Sequence, residues 1–289
     1  MSPRALDRVP AQALIIVDAL FQYVGAAFAV AVFALMEPAS VAWWRVLVGA
    51  LILLAWRRPW RFRWTWRELG ASAVFGLFIL AMNSTFYEAI ARLPLGAAVS
   101  IEFLGPVSVA VVRGRGWAPR VAALMAFAGV ASISGFGVDP SDPGIRAGIA
   151  WILAAAAAWA GYIVVGQAIA SRRSGVTNLS MSLGLGALFA APLLAPGGLG
   201  AFTSWTLLGS LVLVGLLSTA IPFTLEALAM SRLTAATYAL LTALMPATSA
   251  VVGAVMLRQI PTPGELLGLV LISIAVWIAS SPRLNRASA

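Results

Sequence analysis

Residues 92–106, RLPLGAAVSIEFLGP, align without a gap on residues 232–246, RLTAATYALLTALMP. In each copy the stretch follows a short segment that carries a glutamate, YEAIAR before the first and LEALAMSR before the second. Each match also begins just before the fourth of five consecutive apolar runs. The two stretches therefore predict an internal duplication with five helices in each copy.

The composition is that of an integral membrane protein. Of the 289 residues, 61% are hydrophobic and 10% are charged, whereas soluble domains are about 45–50% apolar. A helix needs about 17–25 apolar residues to cross the hydrocarbon core. Runs of that length predict an all-α protein in the lipid bilayer with ten transmembrane helices at residues 13–36, 39–56, 69–91, 94–112, 118–137, 147–170, 177–196, 206–230, 233–257 and 263–281.

The residue types also exclude several kinds of chemistry. The chain has no cysteine and no histidine, and all 19 basic residues are arginine. Thiolate or imidazole metal sites are therefore excluded, and no Walker A pattern indicates ATP binding. The sequence predicts no enzyme, no metal and no cofactor. The net charge of +9 does not indicate nucleic acid, because the arginines lie in short clusters between apolar runs.

The arginines also predict the orientation. Alternate loops on one predicted face hold most of them, whereas the other face has only Arg92, Arg146 and Arg258. An arginine excess marks the cytoplasmic face. We therefore expect a multi-pass protein of the cytoplasmic (inner) membrane with both termini in the cytoplasm.

Because five is an odd number, the second copy must cross the membrane in the opposite sense to the first. Inverted repeats recur in secondary transporters, where the substrate site lies near the midplane between the halves. The predicted organisation is a first five-helix repeat at residues 1–137 and a second at 147–289. A periplasmic or extracellular linker at 138–146, rich in turn-forming residues, separates them.

Glu102 and Arg45 are charges within apolar runs. A charge at bilayer depth costs roughly 2.5 kcal/mol or more and normally faces a bundle interior or a water-filled path. Both are predicted to lie about 9–12 Å below the outer surface. Arg45 would hold a substrate carboxylate by a forked pair of hydrogen bonds, and Glu102 would receive the ammonium group or a coupling proton. Alternatively the two pair with each other, or Arg45 extends outward past Trp43 and Trp44.

Two further acidic residues lie about five residues inside the cytoplasmic ends of their helices. Asp18 is in the first predicted helix and Glu226 in the eighth. Each of them is a candidate to contact the substrate or a proton. Alternatively, each is hydrated from the cytoplasmic face or paired with Arg232. Glu88 is predicted to form a surface ion pair with Arg92 one turn away.

Polar and aromatic side chains within the spans are candidates for the rest of a substrate path, although such groups also bond between helices or simply pack. The candidates are Gln22, Asn83, Tyr87, Ser100, Trp159, Tyr162, Gln167, Tyr238 and Thr242. Three helix-breaking prolines leave backbone carbonyls free to line a cavity; they are Pro106, Pro222 and Pro246. The small-residue faces at 154–161 and 264–268 favour close helix packing, including packing in a homodimer.

Several motifs together carry a family resemblance. They are Met82-Asn83 with Phe86-Tyr87, residues 93–96 leading to Glu102-Phe103 and Gly105-Pro106, Trp159-Ala160 with Tyr162 and Gly166-Gln167, residues 217–222 followed by Leu225-Glu226, and Arg232-Leu233. On these motifs the chain resembles the EamA family of the drug/metabolite transporter superfamily, and within it the threonine and homoserine exporter branch. The resemblance implies ten helices in an inverted five-plus-five repeat and amino-acid efflux across the cytoplasmic membrane.

The chain departs from this branch at four positions. Members carry acidic residues where this chain has Met245 and Gln259, an apolar residue in place of Glu88, and a lysine near Val30. The leading hypothesis is a proton-coupled secondary transporter that exports a small polar metabolite, an amino acid, by alternating access. One alternative is a multidrug or other metabolite exporter. Another, from a different class, is a membrane scaffold or sensor without flux.

Overall fold

A computed structural model of the chain describes residues 10–113, 117–136, 141–169, 175–230, 241–242 and 244–280. These ranges are built from helices, with no β-strand among them. In chain order the α-helices are α1 (Ala11–Val32), α2 (Pro38–Arg57), α3 (Trp66–Ile90), α4 (Leu95–Glu102), α5 (Leu104–Arg113), α6 (Trp117–Phe136), α7 (Pro143–Ile169), α8 (Gly175–Leu194), α9 (Trp205–Gly215), α10 (Ile221–Met230), α11 (Met245–Met256) and α12 (Pro263–Ser280). The connections include 3₁₀ helices at Pro59–Arg61 and Pro196–Thr203, and a π-helical turn at Leu216–Ala220.

In the described part of the chain, seven segments are long and apolar enough to cross a membrane. They are α1, α2, α3, α4 with α5, α7, α8, and α9 continued through the π turn into α10. Shorter apolar helices lie within α6, α11 and α12. The expectation of an all-helical membrane protein is therefore confirmed.

The first helix ends at Val32, four residues before the predicted boundary. The backbone N–H of Leu35 bonds to the carbonyl of Val32, which tightens the chain into a turn. A proline disfavours helical backbone in the residue before it. Glu37, which precedes Pro38, accordingly adopts a ψ of 134°, and α2 begins at Pro38.

The fourth and eighth spans are interrupted at prolines. Phe103 separates α4 from α5, and the π turn precedes Pro222 in α10. A proline has no N–H to donate to the carbonyl four residues earlier. Pro106 therefore leaves the carbonyl of Glu102 without its helical donor, and Pro222 does the same to the carbonyl of Ser218.

Helices from the two halves of the chain pack directly against each other. Helix α3 packs on α7 and α8, α1 on α10 and α11, α4 on α11, and α2 on α8 and α9. The α3–α8 crossing is close because it is made by glycines. A Cβ atom at Gly186 would lie 2.5 Å from the carbonyl oxygen of Gly76, so a larger residue there would force the helices apart.

The small-residue faces noted in the sequence are used inside the chain. A Cβ atom at Gly268 would lie 2.6 Å from the carbonyl oxygen of Gly129, and Ser132 donates a 2.9 Å hydrogen bond to the carbonyl of Gly264. These contacts join α12 to α6. Gly161 lies against the ring of Phe78 on α3. The homodimer stays a prediction. The 264–268 face is buried against α6 and does not support it, whereas Ala154 on the other face is exposed.

Candidate substrate cavity

A cavity of about 90 Å³ lies between helices from both halves of the chain. It has room for about six water molecules. Its polar lining consists of Asp18, Gln22, Tyr23, Arg45, Asn83, Glu102, Tyr162, Glu226 and Thr242. Its apolar lining consists of Ala26, Ile79, Met82, Phe86, Trp159, Phe223 and Met245. An apolar wall with a few convergent polar groups is the usual form of a small-molecule site.

The structure brings most of the predicted site residues together in this wall. Those that line the cavity are Asp18, Gln22, Arg45, Asn83, Glu102, Trp159, Tyr162, Glu226 and Thr242. Tyr87 and Ser100 lie outside its lining. Tyr238 and the side chain of Gln167 fall outside the described part of the chain. The roles of all these residues stay predictions.

Arg45 is bound to the π turn of the eighth span. Its side chain is buried, with 5% exposed. Nε donates to Oγ1 of Thr219 at 3.1 Å, and Nη2 donates to the carbonyl oxygen of Ser218 at 2.6 Å. Both acceptors are neutral, so they orient the guanidinium without cancelling its charge.

The ring of Tyr87 packs against the guanidinium group of Arg45. The guanidinium carbon lies 5.4 Å from the centroid of the Tyr87 ring, within the range of a cation–π interaction. Tyr87 is fully buried, and Phe33 packs edge-on against it with centroids 5.5 Å apart. Tyr87 therefore contacts a residue of the cavity wall rather than the cavity. Ser100 bonds within its own helix, to the carbonyl of Gly96 at 2.7 Å.

Arg45 adopts neither of its two alternative arrangements in this structure. Among the described residues, Arg45 and Glu102 form no ion pair within 4.0 Å, although both line the cavity. Arg45 does not extend outward either, because its Nε and Nη2 donate to the π turn. The neighbouring Trp43 and Trp44 donate from Nε1 to the carbonyls of Ala187 at 2.8 Å and Gly198 at 3.0 Å. They fix α2 against α8 and the following 3₁₀ helix.

Glu102 is the last residue of α4, at the interruption of the fourth span. Its side chain is 8% exposed, and among the described residues it has no hydrogen-bond or ion-pair partner. A buried carboxylate in a cavity wall that is not used by the protein itself is suited to a solute or a proton.

Tyr23 is a lining residue that the sequence did not single out. It is 3% exposed and lies among Asp18, Glu102 and Arg45. A signal was present in the spacing of Asp18, Gln22 and Ala26 at intervals of four residues, which places them on one helix face. Tyr23 borders that face.

Asp18 on α1 and Glu226 on α10 line the same cavity, and the two helices pack together. The two carboxyls are close enough for their charges to interact. Asp18 is 2% exposed, and its Oδ1 has no hydrogen-bond partner within the described part of the chain. Tyr162, which stacks on Phe75 with centroids 4.8 Å apart, lies beside Glu226.

Comparisons with known proteins agree with this architecture. The sequence profile of the EamA-like transporter family matches residues 146–281. The threonine/homoserine exporter RhtA of Escherichia coli strain K12 is 34% identical over 249 residues, which cover 85% of this chain and 82% of that protein. The protein of the same name from Salmonella typhimurium strain LT2 is 34% identical over 266 residues, covering 91% and 88%. The chain belongs to the EamA-like transporter family.

The fold is also found among solved structures. A protein crystal structure superposes on 96% of this chain and 98% of that chain, with a TM-score of 0.61 and 20% sequence identity. That likeness shows the fold alone. As a member of the EamA-like family, the chain is a multi-pass membrane transporter, which argues against an enzyme.

Three departures from the exporter branch have a structural account. Glu88 forms the predicted ion pair with Arg92 at 2.6 Å, and its Oε1 accepts from the backbone N–H of Ala39 at 3.2 Å, next to the start of α2. Gln259 accepts from the N–H of Leu95 at 2.9 Å, at the start of α4. Met245 lines the cavity as an apolar group.

Proposed function

We propose that this protein is a secondary active exporter of a small amino acid or related metabolite, similar to threonine or homoserine, and that the solute binds in the cavity lined by Arg45 and Glu102. The observation that carries the proposal is a buried guanidinium and a buried carboxylate in one cavity that are not paired with each other. An amino acid presents the complementary carboxylate and ammonium groups. The names of the relatives point to the same solute class.

Arg45 is prepared for a carboxylate. A guanidinium has five N–H donors, and the bonds to Thr219 and Ser218 use one each on Nε and Nη2. The others have no partner among the described residues. A forked pair of bonds to a solute carboxylate is charge-assisted and geometrically specific. Because Thr219, Ser218 and the Tyr87 ring already hold the side chain, little conformational entropy is lost on binding.

The remaining wall sets the size and polarity of the solute. Asn83 is held by a 2.7 Å bond from Nδ2 to the carbonyl of Ile79, and Tyr23 and Thr242 add hydroxyl groups to the lining. Trp159, which packs edge-on against Phe103 with centroids 4.8 Å apart, closes part of the wall with an aromatic face. This mixture fits a small polar side chain better than a large aromatic one.

We also propose the full arrangement of ten spans in two inverted repeats, with a first repeat at 1–137, a linker at 138–146 and a second repeat at 147–289. The seven long apolar segments and the three shorter apolar helices among the described residues support a total of ten. The family profile begins at residue 146, beside the start of the proposed second repeat.

The packing supports this symmetry. An inverted repeat pairs the first span with the sixth, the second with the seventh, and so on. Helices α3 and α7 belong to the third and sixth spans, whose symmetry equivalents are the eighth and the first. The α3–α7 contact therefore corresponds to the α10–α1 contact, and both occur. Helix α8 belongs to the seventh span, whose equivalent is the second. The α3–α8 contact therefore corresponds to the α9–α2 contact, and both again occur. The cavity lies between the halves, where such transporters place their substrate sites.

Transport would proceed by alternating access, with both termini in the cytoplasm and the proton gradient rather than ATP or a cofactor as the source of energy. The interruptions in the fourth and eighth spans border the cavity and provide places where helix segments can change their angle. The arginine-rich loops support the orientation.

The test is efflux of labelled amino acids from preloaded proteoliposomes under an imposed pH gradient. We expect efflux of threonine, homoserine or a solute of similar size, and its loss in Glu102→Gln. Glu88→Gln is the matched control, because Glu88 is outside the cavity lining. Export of dyes or toxins with no amino-acid flux would favour the multidrug alternative, and no flux of any solute would favour a scaffold or sensor.

A further inference from the structure

The cavity has a second acidic site besides Glu102. Asp18 on α1 and Glu226 on α10 both line the cavity, and their carboxyls are close enough to interact. Asp18 is 2% exposed, and its Oδ1 has no hydrogen-bond donor among the described residues. A buried polar atom without a partner is costly, so this oxygen points to a ligand that can donate to it.

We propose that Asp18 and Glu226 together bind the proton that drives export, at a site separate from the solute site of Arg45 and Glu102. The proposal rests on the proposed function. It assigns binding of the solute ammonium group and binding of the proton to different carboxyls of the same cavity. A proton bound to one carboxyl of the pair removes the repulsion between two negative charges.

The surroundings favour a proton over a solute ammonium group at this pair. Among the described elements, those packed on α1 are α2, α9, the π turn, α10 and α11. Of these, only α2 and α10 bring charged groups to the described cavity wall, namely Arg45 and Glu226. On α1 itself the neighbouring titratable group is Tyr23, and Glu102 of α4 also lies near Tyr23.

Arg45 is the one cation in the described lining, and it is bound to Ser218 and Thr219. A solute carboxylate held by Arg45 leaves a single ammonium group to be placed. Glu102, which has no partner among the described residues, is sufficient for that task. The Asp18–Glu226 pair can then bind a different cation.

The step is a simple proton exchange. A proton from outer water bonds to one carboxylate oxygen of the pair when the cavity faces outward. It leaves to cytoplasmic water when the cavity faces inward, and no other bond is made or broken. The solute moves in the opposite direction on the same cycle.

Two flux assays on proteoliposomes separate the sites. Counterflow measures exchange of labelled for unlabelled amino acid without a pH gradient, and driven efflux measures transport that requires the proton. We expect Asp18→Asn and Glu226→Gln to keep counterflow within about twofold of wild type and to lose driven efflux by about tenfold. Glu102→Gln should lose both activities, and Glu88→Gln neither.

The same variants can overturn the assignment. Loss of counterflow in Asp18→Asn, with full activity in Asp18→Glu, would make Asp18 a solute ligand instead. Unchanged driven efflux in Asp18→Asn and Glu226→Gln would remove the pair from coupling.

If the wild-type protein moves no amino acid, the proposed function is refuted. The Asp18–Glu226 proton site can still be tested by a measurement that does not depend on transport. The infrared spectrum of the purified protein should contain a protonated-carboxyl band that titrates with pH and disappears in Asp18→Asn. The same band in both Asp18→Asn and Glu226→Gln would overturn the proton site, whatever the solute. Asp18→Glu, which keeps a carboxyl group, should retain the band and controls for misfolding.

Discussion

Nη2 of Arg45 donates a 2.6 Å hydrogen bond to the carbonyl oxygen of Ser218, 173 residues further along the chain. Pro222 makes this acceptor available, because a proline cannot donate the helical bond to the carbonyl four residues before it. A backbone interruption in one half of the protein thus orients the charged side chain contributed by the other half.

Replacing Arg45 by lysine should weaken solute binding although the charge is kept. An ammonium group lacks the planar fork, so it cannot hold Thr219 and Ser218 and bind a carboxylate with two parallel bonds. We expect Arg45→Lys to lower the affinity for the transported amino acid by about tenfold, measured by calorimetry on the purified protein. Arg92→Lys, outside the cavity lining, is the control and should bind normally. Equal affinities for wild type and Arg45→Lys would contradict a forked contact.

Pro222→Ala should affect the same site through the backbone. The new N–H competes with Arg45 for the Ser218 carbonyl, while the helix gains a hydrogen bond. The expected result is an unfolding temperature at or above that of wild type and an affinity lower by about tenfold. Pro192→Ala, within α8 and away from the cavity lining, should leave affinity unchanged. If Pro222→Ala binds as wild type does, the proline has no part in orienting Arg45.

Two substitutions of Tyr87 separate the contribution of its ring from that of its hydroxyl group. Its hydroxyl is buried without a hydrogen-bond partner within the described residues, whereas its ring lies under Arg45. Tyr87→Phe should raise the free energy of unfolding by roughly 1 kcal/mol and keep solute affinity. Tyr87→Leu removes the cation–π contact and should lower affinity about threefold. Thermal unfolding and calorimetry on both variants measure the two effects, and a loss of affinity in Tyr87→Phe would assign a role to the hydroxyl instead.

The sequence predicted the helical membrane fold and most of the described polar cavity wall for a common reason. Long apolar runs have few structural outcomes in a bilayer, and the charges within them must face something polar. Glu102, Arg45, Asp18 and Glu226 were therefore recognisable as cavity residues from their positions in the sequence, because each is conspicuous against its apolar surroundings.

The partners of these charges were not predictable in the same way. Ser218 and Thr219 are ordinary residues of an apolar span, and only the packing of α2 on the π turn brings them to Arg45. Tyr87 shares a helix face with Asn83 by spacing. Helix periodicity therefore predicted that Tyr87 lines the cavity as Asn83 does. In the structure Tyr87 lies one turn further along α3, where α2 and Arg45 cover it.

Glu88 should matter for stability and not for transport. Its ion pair with Arg92 is partly exposed, with 34% of the Arg92 side chain and 15% of the Glu88 side chain accessible, so screening by water reduces its contribution. Its bond from the Ala39 N–H satisfies a donor near the start of α2. Together the two contacts predict that Glu88→Ala lowers the free energy of unfolding by about 1 kcal/mol, measured by thermal or chemical unfolding in detergent.

Glu88→Gln separates the two contributions. It keeps an acceptor for Ala39 but loses the charge, so its stability should fall between those of wild type and Glu88→Ala. Added salt should narrow the difference between wild type and Glu88→Gln, because it screens the exposed part of the ion pair. Driven efflux should be unchanged in both variants, since Glu88 does not line the cavity. A loss of efflux in Glu88→Ala at wild-type stability would show that this contact between α2 and α3 participates in the transport cycle.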